Sequence, residues 1–366
     1  MKKVVILFLF FFVACELVLP IFYNRITPEV GRFAVEIMLD EQKKNELLSV
    51  RPHPYTLYTN TPGWEKDGYV QNNSLGYRGK EIKFEPDPQK IRILTLGEST
   101  TLSYPYVKNP EDTWSAQLEK FLNEEMQFKV EVVNGGLNYA TSAELLSHYL
   151  YKDRYLKPNF VIIHIGYNDV VPLLFSNYTP DYSHYRTSWN DGELRTRPFE
   201  KLFLNFTTVK ILYAWWFKQF SLQYVLGQKE DWYTLDPKES AQNLSLNTPV
   251  GFRRNLELLI RNIKDDGAEP ILFPVVFSSR DLLEKNKTIG SYLMNYYDLL
   301  HAGLINNVEV MKDIAQSTDS KFVQIPEGTI PVSDFLDHVH LNESGETAKA
   351  AFLKDYLKGV IKSKLK

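Results

Sequence analysis

The 366-residue chain carries 42 Lys and Arg against 45 Asp and Glu, a net charge of −3, with 44% hydrophobic and 24% charged residues. These ordinary globular proportions exclude a disordered, collagen-like or polytopic membrane chain, and the near balance of charge argues against a nucleic-acid partner. The lone cysteine, Cys15, excludes an intramolecular disulfide, and the seven histidines lie at no ligand-like spacing with it, so no metal site is expected.

The chain opens with Met1-Lys2-Lys3 and then runs from Val4 to Phe22 with Glu16 as the only charge. Such a run is just long enough to cross a bilayer as a helix. Lys2 and Lys3 would stay on the cytoplasmic side, so the body would be exported. The expectation is a signal anchor over residues 1–22. A lipoprotein signal cut before Cys15, preceded by Phe12-Val13-Ala14, and a cleaved secretory signal are the alternatives. Residues 23–90 are rich in Pro and Gly, as in Arg51-Pro52-His53-Pro54 and Thr61-Pro62-Gly63. They read as short strands and turns packed against the main domain.

From residue 91 the pattern changes. Ile91–Leu96 is a short apolar run that ends at Gly97, a strand signal. A helix is expected over Asp112–Glu125 and a second strand over Val130–Val133, followed by Asn134-Gly135-Gly136. Ser142–Leu156 reads as a helix and Phe160–Ile165 as a third strand that ends at Gly166. Between about 172 and 250 the alternation stops. These 79 residues hold 16 aromatics, including four of the six Trp. Their apolar stretch Val209–Leu226 has the character of a lid or an interfacial helix, within an inserted helical subdomain. Beyond it come a helix over Phe252–Asp265, a strand over Ile271–Phe277, helix over Tyr292–Ser317, a strand over Lys321–Ile325 and a last helix over Glu343–Leu357 with Asn342 as cap. Strands alternating with helices imply parallel βαβ units and an α/β/α sandwich, so ligands are expected at the carboxyl ends of the strands.

Four groups of residues fall at those ends. Gly97-Glu98-Ser99-Thr100 follows the first strand, where a tight strand-to-helix turn would push the Ser99 hydroxyl out of the sheet. Asp337-His338-Val339-His340 precedes the last helix. A serine nucleophile needs a base, and the base needs an orienting carboxylate; one turn places Asp337 and His340 on one side. His338 is the rival base, and Asp334 is its possible partner. Gly136 and Gly166-Tyr167-Asn168-Asp169 supply a backbone N–H and a side-chain amide, donors of the type that stabilise an oxyanion.

The order Ser, Gly, Asn, then Asp-x-x-His resembles the SGNH hydrolases, also called the GDSL esterase/lipase family. The resemblance covers about residues 91–362 apart from the insert. Asn73-Ser74-Leu75-Gly76-Tyr77-Arg78-Gly79 also looks like the stretch before the catalytic domain in membrane-anchored bacterial members. One position departs from the pattern, because Glu98 stands where the family usually has Asp. The resemblance implies a flavodoxin-like three-layer fold with a mainly parallel sheet, and Ser99 as nucleophile with His340 as base and Asp337 as its orienting group. It implies an oxyanion hole made of the Ser99 N–H, the Gly136 N–H and the Asn168 amide, and no metal or organic cofactor. It also implies a small-molecule or polysaccharide ester as substrate, either an O-acetyl group on a carbohydrate or cell-envelope polymer or a lipid ester.

Overall fold

Continuous buried apolar runs, not alternating ones, dominate the centre of the chain, and they form a parallel sheet covered on both faces. The computed structural model describes residues 2–39, 49–186, 198–217, 232–282 and 294–364. The sheet holds five strands, β5 (Lys90–Gly97), β6 (Lys129–Gly136), β7 (Phe160–Ile165), β8 (Glu269–Pro274) and β9 (Lys321–Phe322). They lie in the order β6-β5-β7-β8-β9, and every pair is parallel. The fold is therefore the α/β class with a parallel sheet that the alternating pattern predicts.

Two helical layers cover the sheet. On one face α4 (Trp114–Glu125) and α11 (Glu343–Lys364) bury Trp114, Leu118, Leu353 and Leu357 against Ile93 and Ile162. On the other, α5 (Ser142–Tyr151) and α9 (Val250–Asp265) bury Leu145, Leu256 and Leu259 against Leu94 and Ile163. The long helix α10 (Tyr297–Ser317) adds Met311 and Ile314 to the same layer. Three elements end earlier than expected, β9 among them, which stops at Phe322 and not Ile325. β8 stops at Pro274, whose missing N–H cannot continue a ladder. α5 stops at Tyr151, and a 3-10 turn, Asp153–Leu156, follows it.

A buried ion pair ties the last helix to the first turn of the sheet. Glu346 accepts hydrogen bonds from the Trp114 N–H (2.8 Å) and the Ser103 hydroxyl (2.7 Å). Its neighbour Lys349 lies 3.3 Å from that carboxylate and donates to the Thr100 carbonyl (3.1 Å).

The N-terminal part differs from the expectation of strands and turns alone. Helix α1 runs from Lys2 to Ile26 and is followed by α2 (Glu29–Leu39). Only then come four short strands, β1 (Val50–His53), β2 (Leu57–Asn60), β3 (Glu65–Lys66) and β4 (Tyr69–Val70). This segment does pack against the sheet. The Tyr58 hydroxyl donates to the Asn138 carbonyl (2.6 Å), the Asn60 amide donates to the Gly136 carbonyl (2.9 Å), and the Arg78 N–H donates to the Asn134 carbonyl (3.2 Å). The loop after β6 is thereby fixed from outside.

Within the insert, α6 (Pro198–Phe203), α7 (Thr207–Trp216) and α8 (Pro237–Leu246) are helical. The second half of the Val209–Leu226 stretch and residues 187–197 lie outside the described residues. α1 is long and apolar enough to cross a membrane, and no residue of its window Leu9–Ile26 is buried.

Candidate active site

Ser99 opens a four-residue helix, α3 (Ser99–Leu102), directly after β5. A tight turn is needed to bring it there. A Cβ on Gly97 would stand 2.2 Å from the Thr101 hydroxyl and 2.4 Å from the His164 carbonyl, so only glycine fits. The turn is closed by the N–H groups of Thr101 and Leu102, which donate to the Glu98 carbonyl (2.9 and 3.1 Å).

The base arrives from the other end of the chain. Residues 335–341 form a closed loop, with a bridge between Phe335 and Leu341 and a hydrogen bond from the Leu336 N–H to the His340 carbonyl (2.8 Å). The loop presents His340 Nε2 at 2.8 Å from Ser99 Oγ. On its far side His340 Nδ1 lies 2.7 Å from Asp337 Oδ2. The other Asp337 oxygen accepts the N–H groups of Val339 (2.9 Å) and His340 (2.7 Å). Burial opposes the charge on Asp337. His340 and these N–H donors outweigh it and hold the carboxyl well below the ordinary carboxylate range. The Tyr106 ring stacks on the His340 imidazole, with centroids 3.9 Å apart and planes 14° from parallel.

His338 has a different neighbourhood. It is buried, and its Nε2 is in close contact with the Tyr167 hydroxyl. Burial pushes its pKa down to about 4, so it is neutral at physiological pH. Its Nδ1 stands 3.9 Å from Asp337 Oδ1, beyond hydrogen-bond length. Asp334, the alternative partner, instead accepts from the Ser344 hydroxyl (3.2 Å). The structure thus brings Ser99, His340 and Asp337 into one hydrogen-bonded line and leaves His338 and Asp334 outside it.

The donor side is organised by Glu98. This fully buried carboxyl accepts the N–H groups of Gly166 (2.9 Å) and Asn168 (3.1–3.2 Å). The longer side chain that replaces the usual Asp therefore spans from β5 to the turn after β7. Burial, reinforced by Asp169, pushes its pKa well above the ordinary carboxylate range, against the opposing pull of the backbone donors. The Asn168 amide donates one N–H to the Ala140 carbonyl (2.8 Å). An amide carries two such protons, so this bond fixes its orientation and leaves one to give.

Gly136 needs a correction. Its N–H donates to Asn134 Oδ1 (2.9 Å) and is not left for an oxyanion. A Cβ there would stand 2.1 Å from the Leu102 N, so the glycine serves as the seat on which α3 packs. Glu98 was marked in the sequence only by its departure from the Asp of the resemblance, whereas Tyr106 and Ala140 are site residues that the sequence reading missed. No local pattern marks them, since each acts on a residue distant in sequence.

The chain matches no family model and no curated protein. It is similar to solved structures. One is a lipase/acylhydrolase from Enterococcus faecalis, 16% identical, with 74% of this chain and 96% of that one covered at a TM-score of 0.41. Another is an acetylxylan esterase from Geobacillus stearothermophilus, 19% identical, with 72% and 93% covered and a TM-score of 0.40. A GDSL-like lipase from Bacteroides thetaiotaomicron is 13% identical, with 74% and 88% covered and a TM-score of 0.39.

Proposed function

We propose that the chain is a serine esterase that hydrolyses ester bonds through Ser99, His340 and Asp337. One observation carries the reading: an unbroken line from Ser99 Oγ through the imidazole to a buried carboxylate, with steps of 2.8 and 2.7 Å. In this reaction Ser99 Oγ attacks the ester carbonyl and its proton passes to His340 Nε2. The oxyanion takes hydrogen bonds from the Ser99 N–H and the free proton of the Asn168 amide. His340 then protonates the departing alcohol, leaving an acyl group on Ser99. Water, deprotonated by the same imidazole, releases that acyl group and restores the hydroxyl. Asp337 holds Nδ1 in its protonated form throughout, which leaves Nε2 free to accept.

For the substrate we favour a short acyl ester, an O-acetyl group on a carbohydrate or envelope polymer. The exposed ring of Tyr106, seated on His340, offers a flat apolar face beside the nucleophile. The second reading is a lipid ester or an acyl transfer fed from a bilayer, favoured by the exposed apolar helices at the N-terminus and in the insert. In both, α1 anchors the protein, and the catalytic body lies on the side of the membrane opposite Lys2 and Lys3.

The test is hydrolysis of p-nitrophenyl acetate and p-nitrophenyl octanoate by the wild type and by Ser99→Ala. Wild-type turnover that disappears in Ser99→Ala is expected, with acetate preferred. Equal rates for both proteins would remove the esterase reading, and a strong preference for octanoate would replace the acetyl ester by a lipid.

A further inference from the structure

Glu16 is the one charge inside the apolar run of α1, and such a residue is costly in a bilayer unless it has partners. Its partners come from the insert. The carboxylate accepts the N–H of Thr207 (2.6 Å) and the N–H of Thr208 (2.8 Å), the first residues of α7. The N-cap residue of α7, Phe206, has no side-chain oxygen to offer, so Glu16 supplies the cap from another helix. At the other end of α7 the Trp215 indole N–H donates to the Ile26 carbonyl (3.0 Å). Residues 16 and 26 of α1 are thereby matched to residues 207 and 215 of α7. The two helices run side by side in the same direction, a length of roughly 15 Å at 1.5 Å per residue. Phe12 packs edge-on against Phe206, and Gly31 of α2 lets the Ala214 backbone come close from the other side.

The outward side of this assembly is apolar. Phe203, Leu212 and Trp216 are 54%, 65% and 84% exposed, alongside exposed Leu17 and Ile21 of α1. If the hydrocarbon edge lies at Phe22, Glu16 sits about 9 Å below it, within the depth that interfacial helices reach. Lys210, one turn above Thr207, is then close enough to the edge for its stem to bring the ammonium to the headgroups.

We propose that α6 and α7 form a hairpin that dips partway into the leaflet on the exit side of α1. Glu16 caps its buried tip, and phospholipid acyl chains cover its outward face. The insert is on this reading a membrane-docking element. The inference rests on the anchor reading of α1 and extends it.

The experiment uses the full chain in phosphatidylethanolamine/phosphatidylglycerol vesicles, with an environment-sensitive fluorophore on single cysteines in a Cys15→Ser background. Labels go on Phe203→Cys and Leu212→Cys in the hairpin, on Phe10→Cys in α1 and on Tyr155→Cys in the body. Doxyl-labelled lipids quench from within the bilayer and iodide quenches from water. Lipid quenching at 203 and 212 within about twofold of that at 10, and several-fold above that at 155, is expected. Quenching at 10 but only iodide quenching at 203 and 212 would overturn the hairpin while leaving the anchor. Water-like behaviour at 10 as well would overturn both. Shielding of 203 and 212 from both quenchers would mean that another chain covers them, and would overturn the lipid assignment. Glu16→Leu should cut lipid quenching at 203 several-fold with 10 unchanged; no change would refute the capping role. Hydrolysis of p-nitrophenyl acetate reports in the same samples that the body is folded.

Discussion

Asp337→Asn isolates what the carboxylate does. The wild-type group accepts three N–H bonds: one from His340 Nδ1 and two from the backbone of Val339 and His340. An amide of the same shape has a single oxygen. With that oxygen on the two backbone donors, the NH₂ faces His340 Nδ1. Nδ1 must then accept, and the ring proton moves to Nε2, the atom 2.8 Å from Ser99 Oγ. The base loses its lone pair where it is needed, although no heavy atom has moved. A wrong tautomer of this kind costs on the order of 10⁴ in kcat, or about 5 kcal/mol of barrier. KM should change little, because Asp337 is buried on the side of His340 away from Ser99. The assay is steady-state hydrolysis of p-nitrophenyl acetate, with thermal unfolding to show that the fold persists. A folded Asp337→Asn that keeps more than a tenth of wild-type kcat would refute the reasoning.

Three further outcomes follow from the same geometry. His340→Gln should abolish hydrolysis while His338→Gln retains most of it, because His338 is turned to Tyr167; kcat of both variants decides. Acid stability should depend on His338. Above pH ~6.5 it is neutral in both states and contributes nothing. Between there and about 4 only the unfolded chain takes up the proton, so stability falls with pH by up to roughly 3 kcal/mol. His338→Gln should show a shallower loss of Tm over that window, and equal slopes would contradict it. Finally, Glu98→Ala leaves the Gly166 and Asn168 N–H groups without their acceptor, at about 1–3 kcal/mol each. Glu98→Gln keeps an oxygen in place and should retain more stability in urea unfolding and more kcat; equal losses for the two would refute the acceptor role.

How much of this was legible depended on the range of the interaction. The central strands announce themselves because strands buried on both faces are uninterrupted apolar runs. Asp337 and His340 could be paired from their spacing, since a loop of that size puts them on one side. The choice of His340 over His338 was open at the level of local pattern. The proposal of His340 rests on contacts with Ser99 and Tyr167, which lie far away in sequence. Gly136 misled because its sequence position suits a donor, whereas its N–H is satisfied two residues away by Asn134. Helix α2 was hidden inside the 23–90 stretch, which reads as short strands and turns from its Pro and Gly content. Gly31 in fact lies inside the helix and permits its contact with Ala214.

The buried pair Glu346 and Lys349 also sets a timetable. A ribosome delivers Ser99 241 residues before His340. The last helix then has to dock before Glu346 can clamp Ser103 and Trp114 and before Lys349 can reach Thr100. A nascent chain therefore carries the Ser99 hydroxyl without its imidazole partner until every strand of the sheet has been made. Loss of the C-terminal helix by a premature stop or a protease would leave all three residues of that line in the chain and still silence it.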